Sequence, residues 1–322
     1  MSKLKINGKE FTALEGETLI ETARRAGFAI PSLCYAPGAV HKSSCMVCVV
    51  ADRSTGQIMP SCTTLSREGM DIDTEAGEVM LSRRLSLELL LSDHRADCEA
   101  PCSTVCPYGL EIEQMLNLYD THRHKEAHTL IAQAFPLPTL GCDDCKAPCE
   151  KVCRRGSVDN PVSIRAIISE LTEKYEPLPA ERQTDKTTEK RFNSRLGRFT
   201  AAEKERLKET TTTPSGCFHC ACAAKDDCRL REYASECGIK TPRYSKESTL
   251  PALARQRIGE NLVFEPAKCI RCGLCVYNTR NGFTFNGRGF AMQVVLPEEN
   301  FANVSEEVAE LCPTGAIYLI RN

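Results

Sequence analysis

Twenty cysteines fall into five groups along this 322-residue chain: Cys34, Cys45, Cys48 and Cys62; Cys98, Cys102 and Cys106; Cys142, Cys145, Cys149 and Cys153; Cys217, Cys220, Cys222, Cys228 and Cys237; and Cys269, Cys272, Cys275 and Cys312. Thiolates two to five residues apart are ligand runs, because one loop can aim several soft sulfur donors at a single zinc ion or iron–sulfur cluster. Disulfide frameworks belong instead to small secreted chains. This chain opens Met-Ser-Lys-Leu-Lys with no apolar signal segment, so a reducing compartment, the cytoplasm, is expected, with the thiols on metal. The chemistry implied is one-electron transfer through a row of iron–sulfur centres.

Other function classes recede on composition. Forty-one basic residues face 43 acidic ones, and aromatics make up 6% with no Trp, so neither a phosphate-binding face nor a base-stacking platform is offered to nucleic acid. No run approaches the roughly 18 apolar residues of a membrane helix, so membrane association is expected only through a partner. So many thiols in a chain of two or three domains imply small domains built around inorganic cores as much as around apolar ones.

The elements that must position the first group are legible. Residues 3–30 read as a strand (Leu4, Ile6), a turn at Asn7-Gly8, a second strand (Phe11, Ala13) and an amphipathic helix from Thr18 to Ala26 closed by Gly27, an order that predicts a β-grasp domain over residues 1–76. Ten residues separate Cys34 from Cys45-Met46-Val47-Cys48 and thirteen separate Cys48 from Cys62, with Gly38, Ser43 and Ser44 where the loop must be tight. The stretch Pro31-Ser32-Leu33-Cys34 through Ser44-Cys45-Met46-Val47-Cys48 to Pro60-Ser61-Cys62 resembles the N-terminal [2Fe–2S] domain of the electron-input iron–sulfur subunit of respiratory complex I and of iron-only hydrogenases. That resemblance implies one [2Fe–2S] cluster on Cys34, Cys45, Cys48 and Cys62. A zinc knuckle would use closer pairs.

Residues 77–93 read as a Leu-rich helix (Val79, Met80, Leu85, Leu89, Leu90) leading to His94 and Cys98, which match the opening of the His/Cys3 [4Fe–4S] site of the complex I family. Its next cysteines do not follow at once. Instead Cys98, Cys102 and Cys106-Pro107 lead through a helical stretch (Ile112, Met115, Leu116, Leu118, Tyr119) to Cys142, Cys145, Cys149 and Cys153. Pro101-Cys102 to Cys106-Pro107, Pro148-Cys149 to Cys153-Arg154-Arg155-Gly156, and Asn160-Pro161-Val162-Ser163-Ile164 resemble the two-cluster domain of the glutamate synthase small subunit and of dihydropyrimidine dehydrogenase. The resemblance covers about residues 95–175 and implies a helical domain, 77–175, holding two [4Fe–4S] clusters crosswise. One is on Cys98, Cys102 and Cys153, the other on Cys106, Cys145 and Cys149. Each is one ligand short: the family's remaining positions fall on Arg95 and Ile168, so His94 and Cys142 are the expected replacements. Ile168 lies with Ile164, Ile167 and Leu171 on one apolar helix face.

Residues 176–213, with Pro177, Pro179, a Thr run and alternating charges, read as a solvated linker or an exposed helix. Over residues 214–245, Cys217-Phe218-His219-Cys220-Ala221-Cys222 and Cys228-Arg229-Leu230 resemble the second half of the complex I His/Cys3 site, interrupted by an inserted domain. Cys217, Cys220, Cys222 and Cys228 are then the expected ligands of a further [4Fe–4S] cluster, leaving Cys237 and His219 over. Zinc in the same knot, and service of this site by His94 across the insertion, are the alternatives. In residues 246–322, Cys269-Ile270-Arg271-Cys272-Gly273-Leu274-Cys275 and Cys312-Pro313-Thr314-Gly315 resemble the two ends of a bacterial ferredoxin module. Asn278 lies near the position of a fourth cysteine that serves a second cluster in two-cluster ferredoxins, so one [4Fe–4S] cluster is expected, on Cys269, Cys272, Cys275 and Cys312. Pro313 ends the run before a strand, Ala316 to Ile320.

No strand–GxGxxG–helix unit is present: Gly282, Gly287 and Gly289 sit in an aromatic, Asn-rich turn. His122, His124 and His128 read as exposed. The fold class expected is α+β multidomain, with a β-grasp [2Fe–2S] domain, a helical double-cluster domain and a small ferredoxin-like domain. The function expected is that of a non-catalytic electron-transfer subunit carrying one [2Fe–2S] and four [4Fe–4S] clusters. Its partners would be a flavoprotein subunit, of the FMN/NADH or the FAD/NADPH type, and a further electron-accepting or catalytic subunit. The competing readings are an enzyme whose incompletely ligated cluster binds substrate near His94 or Cys237, and a redox-sensing or structural iron–sulfur protein.

Overall fold

A computed structural model describes residues 1–92, 94–95, 97–135, 142, 144–179, 199–222, 228–241, 243–244 and 255–320. The chain forms two compact units, Met1–Arg95 with Asp226–Asn322, and Ala96–Lys225. Among the described residues no helix is long and apolar enough to cross a membrane.

In the first unit, β1 (Ser2–Ile6) and β2 (Lys9–Ala13) form a hairpin in register Ser2↔Ala13 to Ile6↔Lys9. Its two-residue turn needs left-handed backbone twice, and Asn7 (φ 49°) and Gly8 (φ 80°) supply it. Helix α1 (Leu19–Arg25) starts at a capping box: the Thr18 N–H donates to Glu21 Oε2 at 2.8 Å. It ends as the Phe28 N–H reaches back to the Ala23 carbonyl at 2.8 Å across Gly27 (φ 84°). Strands β3 (Val49–Asp52), β4 (Gln57–Pro60) and β5 (Asp71–Asp73) complete a mixed sheet ordered β2-β1-β5-β3-β4, with β1 and β5 parallel. Leu19, Ile20 and Ala23 of α1 bury against Leu4, Ile6 and Ile72.

Helix α2 (Gly77–Ser92) covers β3, whose four residues are all buried; the Arg83 guanidinium donates to the Val49 carbonyl at 2.8 Å. Val79, Arg83, Leu87 and Leu91 make the buried stripe, one residue every helical turn, and Met80, Leu81, Leu85 and Leu89 stay exposed.

The second unit contains helices and no strand among its described residues: α3 (Pro101–Thr104), α4 (Ile112–Asp120), α5 (His124–Ala134), α6 (Pro148–Lys151), α7 (Ile164–Lys174) and α8 (Ala201–Thr210). Proline opens α3 and α6, where no N–H is needed. The core joins Ile112, Met115, Leu116, Ile131, Phe135, Ile164 and Leu171 with the thiols Cys102, Cys149 and Cys217. The expectation of three exposed histidines fails at His128. It is buried on the inner face of α5, with Nδ1 2.5 Å from the Tyr175 carbonyl, while His124 lies against the Tyr119 and Tyr175 rings. The second part of the expected linker is α8, capped by Thr200 and without a buried residue; residues 180–198 lie outside the described residues.

The first unit resumes with α9 (Arg229–Glu236), β6 (Gln256–Ile258), β7 (Leu262–Phe264), α10 (Leu274–Asn278), β8 (Thr284–Asn286), β9 (Gln293–Val295), α11 (Val308–Leu311) and β10 (Ile317–Leu319). β10, the strand expected after Pro313, pairs antiparallel with β7 in a sheet ordered β10-β7-β6. The glycine-rich turn is the β8-β9 hairpin. Gly287 (φ 78°) is required there, since a Cβ would meet the Ala291 carbonyl oxygen at 2.6 Å.

Candidate metal centres

The β3-β4 hairpin brings Cys48, just before β3, beside Cys62, just after β4. Ser61 fastens the pair by donating its N–H (3.1 Å) and its hydroxyl (2.7 Å) to the Cys48 carbonyl. Cys34 hydrogen-bonds Cys45 and Cys62, and Cys48 hydrogen-bonds Cys62, so the four thiols converge; all are at most 4% exposed. Hydrogen bonds from Cys45 and Cys62 hold the Cys34 thiol far below its ordinary range, helped by the N–H groups of Cys45 and Ser44. The sharing pushes Cys45 and Cys62 upward, with burial adding to it. A left-handed Met46 (φ 53°) turns the loop between Cys45 and Cys48. Four buried thiols fringed by N–H donors fit a [2Fe–2S] cluster.

In the C-terminal region Cys269, Cys272, Cys275 and Cys312 line one void with Phe264, Ile270, Leu274 and Val294. Left-handed Arg271 (φ 57°) and Gly273 (φ 82°) curl the loop, placing the Arg271 N–H 3.3 Å from Cys269 Sγ; a side chain at Gly273 would strike the Tyr277 ring at 2.6 Å. Burial pushes Cys269 up to about 12, and burial with the charges of Cys312, Cys269 and Cys34 pushes Cys272 upward. Asn278 grips the loop of the first centre: its Oδ1 accepts from the Val40 N–H at 2.9 Å and its Nδ2 donates to the Val40 carbonyl at 2.8 Å. Lys42 lies over the Tyr277 ring at 5.0 Å.

Two further voids lie in the second unit. One is ringed by Cys106, Cys142, Cys145 and Cys149, with Tyr108, Phe135 and Ile168 in its wall; burial first, then the neighbouring thiols, lift Cys142 to about 11. The other is ringed by Cys102, Cys153, Cys217 and Cys220, with Glu113, Leu116, Arg155 and Ile164. Cys220 is half-buried there, and burial followed by the charges of Cys217, Asp97, Cys102 and Cys153 drives its thiol upward. Both voids carry four thiols, the donor set of a [4Fe–4S] cluster, in walls that are apolar apart from Arg165 in the first and Glu113, Arg154 and Arg155 in the second.

The expected sets are partly regrouped. Cys106, Cys142, Cys145 and Cys149 come together as read from the sequence, with Ile168 in the wall where the family places a ligand. Cys102 and Cys153 come together with Cys217 and Cys220; Cys98 is not among the residues lining that void, and His94 belongs to the other compact unit. His94 is buried beside Lys268, and burial followed by the Lys268 ammonium lowers it to about 4. Cys222 lies next to Asp97, its N–H donating to the Asp97 carbonyl at 3.1 Å, and Cys228 caps α9 in the first unit. Cys237 ends α9, its carbonyl accepting from Arg84 at 3.1 Å. Sequence reasoning left His219 unused, yet its ring spans two carboxylates, Glu113 Oε1 at 3.0 Å and Asp120 Oδ2 at 3.1 Å. Against the penalty of burial, Cys217 and Glu113 raise it to about 10.

Comparison with known families gives three matches along the chain. Residues 1–77 match a 2Fe-2S iron-sulfur cluster binding domain, residues 92–176 the dihydropyrimidine dehydrogenase domain II with its 4Fe-4S cluster, and residues 262–319 a 4Fe-4S single cluster domain. The three regions are among the four whose resemblances are legible in the cysteine runs. The NADP-reducing hydrogenase subunit HndD of Solidesulfovibrio fructosivorans is 39% identical over 103 residues, 30% of this chain and 18% of that protein. The NADPH-Fe(3+) oxidoreductase subunit alpha of Geobacter sulfurreducens is 26% identical over 133 residues, 41% of this chain and 15% of that protein. An NADH-quinone oxidoreductase subunit of Rhizobium meliloti is 29% identical over 113 residues, 35% of this chain and 13% of that protein. The chain thus matches less than a fifth of the length of these relatives. A chain of an NAD+-reducing [NiFe]-hydrogenase in its H2-reduced state shares the fold at a TM-score of 0.52 and 16% identity, covering 99% of this chain and 87% of that one.

Proposed function

We propose that this chain is a non-catalytic electron-relay subunit of a cytoplasmic, flavin-dependent, NAD(P)H-linked oxidoreductase complex. The observation that carries this reading is the junction of two candidate centres inside the first compact unit. Cys34 of one lies close enough to Cys272 of the other for its charge to act there, and Asn278 clamps the loop of the first centre onto α10. Electron transfer weakens steeply with distance, so two centres whose loops are tied together by Asn278 and Val40 suit a relay step. Bound clusters would supply one-electron storage at potentials spanning roughly −700 to +450 mV.

The chain's own residues set the conditions for that storage. Thiolates hold iron, apolar walls exclude water, and N–H donors such as those of Ser44 and Arg271 stabilise added electrons on sulfur. The proposed complement is one [2Fe–2S] and four [4Fe–4S] clusters, about 18 irons per chain. A flavoprotein partner of the FMN/NADH or the FAD/NADPH type would split a hydride's electron pair into single electrons. A further subunit would receive them, with ferredoxin, protons or CO2 as final acceptor. Names of relatives as subunits of NADP-, NADPH- and NADH-linked enzymes support such an assembly.

An EPR-monitored reductive titration of the anaerobically purified chain tests this. The expected result is [2Fe–2S] and [4Fe–4S] signals that appear in one-electron steps and broaden one another through magnetic coupling. Iron-free protein, or clusters that stay oxidised under dithionite, would overturn it.

A further inference from the structure

Resting on the relay reading, we propose that Cys102, Cys153, Cys217 and Cys220 together hold one [4Fe–4S] cluster, so that a pair of residues beyond the linker completes a site begun more than a hundred positions earlier. The first support is the shared void, ringed by these four thiols. Cys102 and Cys217 are members of one core, and Cys153 packs against it.

The second support is how firmly the loop carrying the pair is fastened to both walls of that void. On the α4 side, Asp120 accepts from the Ser215 N–H at 2.7 Å and from its hydroxyl at 2.6 Å, and His219 bridges Glu113 and Asp120. Ser215 Oγ in turn accepts from the Cys217 N–H at 3.1 Å. On the other side Arg155, two residues after Cys153, donates to the Gly216 carbonyl at 2.5 Å and lies over the Phe218 ring. Gly216 (φ 70°) leaves no room for a side chain, since a Cβ would come within 2.4 Å of Arg155 Nη1. A knot serving a separate centre would need none of these ties to Cys153 and α4.

The donor count agrees. Two thiolates from the Cys-x2-Cys pair and one from each of the other runs make four, so neither an imidazole nor Cys98 is required. Cys98 and Cys222 are then left outside this cluster, neighbours across the parallel bridge of Asp97 with Ala221.

The test compares Cys102→Ala, Cys217→Ala and the double variant of the whole chain, purified anaerobically, by iron content and EPR of the reduced protein. Both single variants should lose or convert the same [4Fe–4S] signal. The double variant should lose no second one, with a total deficit of about four irons. Disappearance of two different signals, or a deficit of about eight irons in the double variant, would overturn the assignment. Cys98→Ala should keep the signal that Cys102→Ala loses; its loss there would also overturn it. Retention of the other [4Fe–4S] signal of the same unit, that of the centre on Cys106, Cys142, Cys145 and Cys149, reports that each variant has folded. Where Cys102→Ala or Cys217→Ala does not, Cys153→Ala and Cys220→Ala put the same question to the same wild-type signal. Wild-type protein without iron would sink the relay reading itself, whereas full iron with additive losses sinks only this ligand set.

Discussion

Residues 1–76 and the unit Ala96–Lys225 solve the same problem, holding thiols around a centre, in opposite ways. The N-terminal region has a five-stranded sheet and a capped helix with an apolar core of their own, and its four thiols come from one loop and one hairpin. In the second unit the helices carrying Cys102 and Cys149 are four residues long, below any length stable in isolation, and thiols are themselves members of the core. The contrast teaches where the folding free energy resides. In the first case the polypeptide presents a site; in the second, metal ligation supplies much of what the short helices lack.

The largest expected effect separates the two directly. Stripping iron with a chelator under reducing conditions should leave the sheet of residues 1–76 protected while the stretch 96–179 becomes cleavable. Limited proteolysis read by mass spectrometry should show a rate difference on the order of tenfold or more. Equal protection of both regions would break the comparison.

A site assembled from distant segments should accept a ligand from a new segment, whereas a local loop should not. Cys142→Ala is expected to lose up to about four irons. Adding Ile168→Glu, on the α7 face that lines the same void, should restore them. If iron does not return in the double variant, Cys142 and Ile168 do not address one centre.

His219 gives a smaller effect with the same logic. His219→Ala removes two charge-assisted hydrogen bonds and leaves the Asp120 carboxylate, 6% exposed, without that partner. It should cost about 2 kcal/mol and loosen the cluster beside it. A thermal melt and iron content equal to wild type would show that the loop is held by other means. In residues 1–76 Ser61 ties the ligand residues through the backbone of a hairpin, with the His41 ring 3.0 Å from the Cys62 carbonyl.

These differences also explain what could be read from the amino-acid sequence. Asn7-Gly8, Thr18 with Glu21, and Gly27 are local signals, each acting within a few residues, and they locate the first hairpin and α1 to within a residue. The cysteine runs that line voids are legible because spacing within a run is also local. Which runs share a centre depends on tertiary ties, such as Arg155 to Gly216 and His219 to Glu113, that leave no periodic mark. On α2 the abundance of leucine does not mark the buried stripe, Val79, Arg83, Leu87 and Leu91, because what the helix packs against selects it, and Leu85 and Leu89 stay exposed. His128 carried a usable signal: it sits one turn before Ile131 on the apolar face of α5, a position that favours a buried ring.

The difference between two glycines, about 1–2 kcal/mol, isolates packing from backbone strain. Gly56 and Gly216 share nearly the same left-handed conformation, φ 72° and 70°, but a Cβ at Gly56 meets nothing within 4 Å while one at Gly216 meets the Arg155 guanidinium at 2.4 Å. Gly56→Ala should therefore cost only the conformational penalty, about 1 kcal/mol. Gly216→Ala adds the displacement of Arg155 from the Gly216 carbonyl and from Asp159, for a total of about 2–3 kcal/mol. Chemical denaturation of the iron-loaded chain, followed separately through the [2Fe–2S] and [4Fe–4S] absorbance, should place the first loss in residues 1–76 and the second in the unit Ala96–Lys225. Equal losses would mean that Arg155 moves aside without consequence, and that the loop bearing Cys217 is held from the α4 side alone.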